Sequence, residues 1–432
     1  MKRLASFLAW AAATLLISGC ASSKLTIRPE AQKPLSPQPR RYSTFWDALD
    51  NVDMAAARGM DATAAQRNIA AAMQMALDGK ADEATAALHD TWLAATDSTT
   101  RHRSRELLES LLMERSRWND ILGVYAKDTG AVDPEDDSRP LANVYAASPP
   151  EEVRFPAAAD TVPLDFNGVG LPVVEVAVNG HAKSFVLDTG AALTVLSSDF
   201  ARECGVTASD KSAVAGTSNT KTVAIQAAVA DSVRWGKLLI LHHPTAVIES
   251  SHLRFRLFGL FTLMKIDGIL GWNVIRELNL KINYRDKYAV VEASQPRESS
   301  PRNLFDLGEP MVALSDSQGT RFNFLLDTGA NVTSLGQNSL NKISNKGLTH
   351  RTSFVGGAGG MEKFKAVVVP EITLYTNDYA LEFRNLRTSP EAKQSGVHRD
   401  GVLGSDFGHR GVLTIDYPNG YFAFEELPKS GH

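Results

Sequence analysis

The pattern of apolar and polar positions divides the chain into a helical part and a later part built from strands. Over residues 45–126, apolar side chains recur at spacings of three and four, as in Leu108, Leu111 and Leu112. One face of an α-helix repeats with this period. The pattern therefore predicts about four helices in this segment.

After about residue 150 the apolar runs shorten to strand length, and turn signals separate them. Asn179-Gly180, Gln318-Gly319 and Asn419-Gly420 each stand between two such runs. Pairs of this kind are typical of tight turns between antiparallel strands. The C-terminal part of the chain is therefore predicted to be mainly β.

Within the β region one pattern occurs twice. The first copy reads PVVEVAVNGHAKSFVLDTGAALTVLS and continues later with DGILG, while the second reads PMVALSDSQGTRFNFLLDTGANVTSLG and continues later with DGVLG. The spacing agrees, because the stretch of chain from Asp188 to Asp327 is nearly as long as the stretch from Asp267 to Asp400. We therefore expect two similar lobes, over residues 156–298 and 299–432.

The N-terminus has the features of a secretory signal. Met1, Lys2 and Arg3 precede an apolar run that is too short to span a membrane stably. The run ends in L-I-S-G-C, which resembles the bacterial lipoprotein box with Cys20 as the acylated residue. We expect residues 1–19 to be a signal peptide, and the alternative is an ordinary signal peptide that is cut nearby.

Acylation of Cys20 would anchor the protein to the lipid bilayer, because each buried CH₂ contributes roughly 0.8 kcal/mol. The next residue is Ala21, which resembles lipoproteins that are sent to the outer membrane. The expected location is the periplasmic side of a bacterial cell envelope. The other cysteine, Cys204, is then left without a disulfide partner, and we expect it to be a small buried side chain.

Two segments have the composition of linkers. Residues 20–44 are rich in Ser, Pro, Lys, Arg and Gln and have little apolar surface to offset the entropy of ordering, so we expect a lipidated tether. Residues 127–155 are acidic and Pro-rich, and they predict a domain boundary. Between these segments, MALDGKADEATAALHDTW resembles half of a tetratricopeptide repeat. The helical domain either docks a protein partner or is a spacer packed on the β region.

Charge and motifs exclude several classes of function. The chain has 45 Lys and Arg against 49 Asp and Glu, so its net charge of −4 gives no electrostatic reason to expect nucleic acid. The zinc-protease, serine-hydrolase and nucleotide-binding motifs do not occur in the sequence. We therefore predict no metal and no cofactor, and a protein or peptide as the partner.

The repeated pattern resembles the aspartic peptidases. An apolar strand that runs into D-T-G-A, then a Gly-rich hairpin and then an apolar residue followed by L-G, resembles retropepsin-like and pepsin-like enzymes and particularly bacterial proteins of the aspartyl protease family. The resemblance covers about residues 160–428. Retroviral relatives have one copy and dimerise, whereas pepsins carry both copies in one chain. The resemblance therefore implies a mainly β, bilobal pepsin-like fold, in which two retropepsin-like β-barrel lobes follow the helical segment.

The resemblance also implies how the chemistry works. Asp188 and Asp327 would be the catalytic carboxylates, and they would hold one proton between them because two adjacent carboxylates cannot both ionise. The ionised partner would take a proton from a water that attacks the peptide carbonyl. The protonated partner would donate a hydrogen bond to the carbonyl oxygen.

Neighbouring residues have roles that the resemblance implies. The supporting residues are threonines that pin the two loops together, glycines beside the carboxylates and glycines of the strand behind each loop, namely Thr189, Thr328, Gly190, Gly329, Gly271 and Gly404. The flap hairpins that would cover the substrate contain Gly216, Thr217, Gly356, Gly357, Gly359 and Gly360.

Other carboxylates and one substitution refine this expectation. Asp267 and Asp400 share a place before the second strand of each copy, which argues for a structural role in a turn. A third D-T-G, which begins at Asp128, has no apolar strand before it and is interpreted as accidental. Ala191 and Ala330 stand where acid-acting pepsins commonly have Ser. A hydroxyl there would lower the pKa of the dyad, so we expect activity at mildly acidic to neutral pH.

These observations predict an aspartic endopeptidase that hydrolyses peptide bonds of periplasmic or envelope proteins. The alternative is a non-catalytic, peptide-binding adaptor lipoprotein that docks partners through its helical domain. Both aspartates are present, which favours the enzyme. The segment SHLRFRLFGLFTLMK before Asp267 is open to three interpretations: a subsite wall, a docking patch or ordinary core.

Overall fold

The computed structural model describes residues 15–17, 23–35, 41–128, 137–216, 222–257, 261–297, 301–344, 346–357, 360–390 and 397–427. Cys20, Thr217 and Gly359, which the sequence singles out, lie outside these ranges. The chain is mainly β, with a helical segment before two lobes of strands. The strands at the N-terminus are β1 (Leu15–Ile17) and β2 (Lys24–Pro29).

Helices form most of the chain between residues 45 and 146. Four of them begin where the side chain of Thr44, Asp53, Thr63 or Asp97 accepts a hydrogen bond from an N–H group of the first turn. The helices of this part are α1 (Phe45–Asp50), α2 (Met54–Gly59), α3 (Ala64–Leu77), α4 (Ala81–Ala94), α5 (Ser98–Glu114), α6 (Trp118–Lys127) and α7 (Arg139–Ala146). The prediction of about four helices was too low, because α1 and α2 are too short to show a helical period. Among the described residues, every helix lacks the length and apolarity needed to cross a bilayer.

The helix α7 lies inside the segment that was predicted as a linker. Pro140 occupies its first turn, where the absent N–H leaves no intrahelical hydrogen bond unmade. Leu141, Ala142 and Tyr145 form its buried face. The linker prediction was wrong over these residues, because the acidic, Pro-rich composition concealed an apolar pair at i and i+4.

Lobe 1 contains strands and two short helices between residues 152 and 293. Its elements are β3 (Glu152–Arg154), β4 (Asp160–Pro163), β5 (Asp165–Phe166), β6 (Pro172–Val178), β7 (His181–Leu187), β8 (Thr194–Ser197), α8 (Ser198–Glu203), β9 (Ser212–Gly216), β10 (Thr222–Trp235), β11 (Leu238–Ile248), β12 (Arg254–Leu257), β13 (Phe261–Lys265), β14 (Gly268–Leu270), α9 (Trp272–Ile275), β15 (Leu278–Asn283) and β16 (Tyr288–Ala293). The main sheet has the order β3-β11-β8-β14-β7-β6-β10-β9. Pairing of β10 with β11 joins distant members of that order and curls the sheet.

Lobe 2 repeats this arrangement between residues 304 and 426. Its strands are β17 (Leu304–Asp306), β18 (Pro310–Ser315), β19 (Arg321–Leu326), β20 (Ser334–Gly336), β21 (Thr349–Gly357), β22 (Gly360–Thr376), β23 (Tyr379–Ser389), β24 (Gly401–Leu403), β25 (Gly411–Asp416) and β26 (Tyr421–Glu426). The strand β24 runs parallel to β19, just as β14 runs parallel to β7 in lobe 1. One short 3₁₀ turn lies in lobe 1, at Ser250–Leu253. Lobe 2 has three, at Gln337–Lys342, Ser405–Arg410 and Tyr417–Asn419.

A central sheet joins the two lobes. Its order is β26-β25-β15-β16-β4, so strands from each lobe lie side by side. The contact between the lobes is the antiparallel pair of β15 and β25, whose register matches Lys281 with Thr414. Residues of both lobes therefore share one apolar core.

The strand β2 lies in the segment that was predicted to be a tether. It pairs antiparallel with β23, and the register runs from Lys24 opposite Arg384 to Pro29 opposite Tyr379. Ile27 is buried beneath this edge. The tether prediction was wrong over this strand, because the alternation in KLTIRP supplies a strand face despite the polar composition around it.

Helix α5 is buried around its whole circumference over most of its length, although it contains several charged residues. Glu109 lies 3.5 Å from the guanidinium of Arg105 and accepts a hydrogen bond of 3.4 Å from the hydroxyl of Tyr125. Burial raises the pKa of Glu109 to about 7, and the charge of Arg105 offsets only part of that rise. Asp128 of the third D-T-G pairs with Arg105 at 3.1 Å, so its carboxylate belongs to this cluster.

Replacing Glu109 with Gln should change how stability depends on pH. A carboxyl whose pKa rises on folding from 4.5 to about 7 favours the folded state fully below pH 4.5, and this contribution is lost as pH rises through 7. Between pH 4.5 and pH 8, the fall in unfolding free energy should be smaller in Glu109→Gln by about 3 kcal/mol. Urea unfolding followed by helical circular dichroism measures this fall. The exposed Glu83→Gln is the matched control, and an equal fall in all three proteins would contradict the assignment.

Candidate active site

Each lobe presents one aspartate at the end of a buried strand. Asp188 follows β7 and Asp327 follows β19. The backbone N–H of each aspartate donates to a carbonyl of the parallel strand beside it, that of Leu270 or Leu403, and the distance is 3.1 Å in both lobes. Both carboxyl side chains are completely buried. The two aspartates therefore occupy equivalent positions in the repeated fold.

Two threonines connect the aspartate loops across the boundary between the lobes. The hydroxyl of Thr189 donates to the carbonyl of Leu326 at 2.6 Å, and the hydroxyl of Thr328 donates to the carbonyl of Leu187 at 2.7 Å. Each hydroxyl oxygen also accepts the backbone N–H of the other threonine at 3.0 Å. The two loops cannot separate without breaking all four buried hydrogen bonds.

The carboxylate of Asp188 lies against the loop of the opposite lobe. Its Oδ1 atom accepts the backbone N–H groups of Gly190 at 2.9 Å and of Ala191 at 3.2 Å. A Cβ atom added to Gly329 would lie 2.3 Å from Cγ of Asp188, which is closer than any real contact. Gly329 is two residues beyond Asp327, so the loop that contains the second carboxyl group touches the first.

The glycines behind the loops allow a close approach of two backbones. A Cβ atom at Gly271 would lie 2.4 Å from the carbonyl oxygen of Leu193, and one at Gly404 would lie 2.7 Å from the carbonyl carbon of Val332. Any side chain at either position would push the second strand of the repeat away from the aspartate loop. Glycine is therefore required at both positions.

A pair of residues in each lobe supports these loops, and our sequence reasoning missed both pairs. In lobe 1, Asn273 accepts hydrogen bonds from the backbone and hydroxyl of Thr194, at 2.8 and 3.1 Å. In lobe 2, Asp406 accepts them from the backbone and hydroxyl of Thr333, at 2.9 and 2.6 Å. Each threonine lies six residues after its aspartate and each acceptor two residues after its glycine, so the repeat did contain a usable signal.

The acceptors differ between the lobes in their further partners. The amide of Asn273 donates to Nε2 of the buried His243 at 3.2 Å, and that ring also contacts Glu151 through Nδ1. Asp406 is half-buried, and desolvation raises the pKa of its carboxyl group. The loop support is thus an amide and an imidazole in lobe 1 but a carboxyl group in lobe 2.

Asp267 and Asp400 have structural partners. Asp400 is buried and forms an ion pair of 2.7 Å with Lys342, and it also accepts the hydroxyl of Ser339 at 2.7 Å. Asp267 forms an ion pair of 2.7 Å with Lys265, and its carbonyl accepts the N–H of Ser197. Neither carboxylate is directed at the aspartate loops by these contacts.

The hairpins predicted to cover the substrate are the β9–β10 and β21–β22 pairs. Gly216 ends β9 and pairs with Thr222, while Gly356 and Gly357 end β21 and Gly360 begins β22 opposite Gly357. The β21 edge takes one further strand, because β1 runs antiparallel to Phe354–Gly356. This edge therefore has backbone groups that pair with an extended segment.

Two other features of the sequence have simple structural outcomes. Cys204 is buried, and burial raises the pKa of its thiol. The segment SHLRFRLFGLFTLMK contributes a 3₁₀ turn and the hairpin of β12 and β13. Leu253 in this turn is buried, and Arg254 donates to Asp199 at 2.8 Å.

Comparison with known proteins identifies both halves of the repeat. Residues 174–274 and residues 313–407 each match the sequence model of one family, which is described as aspartyl protease. No curated protein matches the chain. The two matched segments contain both aspartate loops and both glycine strands behind them.

Removing one threonine hydroxyl should loosen the boundary between the lobes. Thr189→Val keeps the shape of the side chain but leaves the Leu326 carbonyl and the Thr328 N–H without their buried partner. The expected loss of unfolding free energy is about 2 to 4 kcal/mol. Thermal and urea unfolding measure the loss, and the exposed strand variant Thr161→Val is the control. A loss no larger than that of the control would show that these bonds do not hold the lobes together.

Proposed function

We propose that the chain is an aspartic endopeptidase, because a segment of each lobe matches the aspartyl protease family. The observation that supports the proposal most directly is the reciprocal pair of threonine hydrogen bonds, which holds the loops of Asp188 and Asp327 together. A binding protein would not need two buried carboxyl groups in this arrangement, because burying ionisable groups costs free energy.

In the proposed mechanism each carboxyl group has one task. One of the pair, in its ionised form, removes a proton from a water molecule as that water attacks the peptide carbonyl carbon. The other, in its protonated form, donates to the carbonyl oxygen as negative charge develops there. The N–H groups of Gly190 and Ala191 hold the carboxylate of Asp188 in place, so little reorganisation accompanies the reaction.

The proposed substrate is an extended segment of a protein. Three residues of β1 pair with Phe354–Gly356 at the edge of the β21–β22 hairpin, which supports the idea that this edge binds a peptide as an added strand. Main-chain hydrogen bonds of this kind do not involve the peptide's side chains, so peptides of many sequences can form them. Side-chain pockets would then set the preference for particular substrates.

We further propose that the enzyme works at the periplasmic face of a bacterial envelope, held by an acylated Cys20. The ordered strand β2 begins at Lys24, four residues after that cysteine, and four extended residues span at most about 14 Å. Lobe 2 would then lie close to the bilayer instead of being lifted away from it. Envelope proteins would be the substrates within reach. The adaptor alternative has no comparable support, since both aspartate loops are complete.

Substituting one aspartate tests the proposed activity. Asp188→Asn keeps the size of the side chain but removes the group that would exchange a proton, so peptide hydrolysis should fall by about 100-fold to 10,000-fold. A comparison of newly formed N-termini in envelope proteins, from cells with the wild-type chain and with Asp188→Asn, measures the activity where it operates. Asp267→Asn is the control, because its carboxylate has a structural partner. Identical N-termini in all three strains would contradict the proposal.

Adding a hydroxyl beside the dyad should shift its titration. Ala330→Ser places a donor next to the carboxyl pair, and a hydrogen bond to the charged form lowers a pKa. The acidic limb of the pH–rate profile should move down by about one pH unit. Ala192→Ser adds the same hydroxyl to a neighbouring position and serves as the control. An acidic limb that stays in place, or moves equally in the control, would show that the alanines do not set the pH range.

A further inference from the structure

The helical domain packs against the Asp188 loop of lobe 1 and against nearby residues of lobe 2. One apolar cluster contains the inner faces of the helices together with residues from both lobes. Its lobe 1 members include Val186, two residues before Asp188, and Ala191, three residues after it. Lobe 2 contributes Met311 and Val397 to the same cluster. The helices and the Asp188 loop therefore share one hydrophobic core, to which lobe 2 contributes residues outside the Asp327 loop.

The C-terminal end of α5 closes one side of the aspartate loop. A cavity of about 40 Å³ remains there, and its walls come from lobe 1, lobe 2 and the helix; they include Gly190, Ala192, Glu309, Pro310, Met113 and Glu114. A pocket that holds a small ligand has roughly 300 Å³ or more. The space beside Gly190 accommodates a few water molecules but no peptide.

The end of helix α1 is hydrogen-bonded to lobe 2. The carbonyl of Asp50 accepts the backbone N–H of His398 at 2.6 Å, and the carbonyl of Asn51 accepts the side-chain amide of Asn323 at 3.2 Å. His398 directly precedes the segment that leads into β24, the strand beside the Asp327 loop. The end of α1 is thus fixed to lobe 2 near the N-terminal ends of β19 and β24.

Helix α7 covers the β9–β10 hairpin, which the sequence predicted to close over a substrate. It contacts both strands, and the hydroxyl of Tyr145 donates to the carbonyl of Thr245 at 2.7 Å. The hairpin residues in this contact cluster are small or branched, namely Ala213, Ala215, Val223, Ile225 and Ala227. A third contact lies between the helices and lobe 1, where Arg276 donates to the hydroxyl of Ser116 at 2.8 Å.

We propose that the helical domain, α1 to α7, is an intramolecular inhibitor that occupies the substrate cleft of the two lobes. A peptide binds only after the helices move away from the Asp188 loop, and the closed form is the resting state of the chain. This inference rests on the proposed peptidase function. It adds that the helical domain is the first element that an activating partner or condition must displace.

The test opens the cleft by a change on the helical side alone. Met113 is half-buried in the cavity wall that also contains three acidic residues, Glu114, Asp306 and Glu309, and one basic residue, Arg276. Met113→Asp adds a negative charge to these three acidic residues and should drive α5 outwards, whereas Met113→Lys adds a positive charge that they attract. Binding of a statine-containing peptide, a transition-state analogue, should strengthen about 100-fold in Met113→Asp if about 1% of the wild-type molecules are open. Met113→Lys should bind it no more tightly than the wild type.

A disulfide tests the same inference by holding the helical domain closed on lobe 2. The hydrogen-bonded backbones of Asp50 and His398 lie within the separation that a disulfide spans, and Cys204 is buried and does not compete. In the double variant Asp50→Cys/His398→Cys, combined with Met113→Asp, oxidation should abolish binding of the analogue and reduction should restore it. Equal binding in the oxidised and reduced forms, or wild-type binding as tight as that of Met113→Asp, would overturn the inference.

Hydrolysis separates this inference from the proposed function. An opened chain that binds the analogue but cleaves no peptide faster than its Asp188→Asn version would reject the peptidase and retain the closed cleft. A wild-type chain that already cleaves at the rate of Met113→Asp would reject the closed cleft and retain the peptidase. Circular dichroism of each variant verifies that the helices remain folded.

Discussion

The reciprocal hydrogen bonds of Thr189 and Thr328 are the constraint on which the rest of the molecule depends. Each hydroxyl satisfies a buried carbonyl in the opposite lobe, so neither lobe completes its own loop without the other. The central sheet, in which β15 pairs with β25, joins the lobes away from the aspartate loops. The threonines join them at those loops. Two buried aspartates from distant segments of the chain thereby lie on loops that are held together.

The internal repeat made the lobes and the aspartate loops predictable from sequence. Glycines such as Gly271 and Gly404 are required by backbone contacts that both lobes make, so their spacing is informative. The strand β2 was missed because it lies near one end of the chain and its pairing partner near the other, and local composition does not report such a contact. Helix α7 was missed for a related reason, since its burial depends on a hairpin that the local sequence does not reveal.

The two lobes have a similar backbone fold, but they differ in the side chains that support the aspartate loops and line the hairpins. Lobe 1 supports its loop through Asn273 and His243, whereas lobe 2 uses Asp406 in the equivalent place. The β9–β10 hairpin of lobe 1 is lined with alanines where it meets α7, which gives the helix a flat surface to pack on. This asymmetry follows from packing, because only lobe 1 has a hairpin covered by a helix of the N-terminal part in this way among the described residues. The helical domain therefore shares an apolar cluster with the Asp188 loop and the β9–β10 hairpin.

The docking of β2 on β23 also sets an order of events in biosynthesis. Residues 24–29 leave the ribosome early, yet the strand that receives them, at residues 379–384, is made near the end of the chain. The β23 edge of lobe 2 therefore stays uncovered until both segments have been made and meet. Such a long-range closure is slow, because the chain must search a large loop before the first pair forms. Until then β23 is an open sheet edge, of the kind that can pair with another chain.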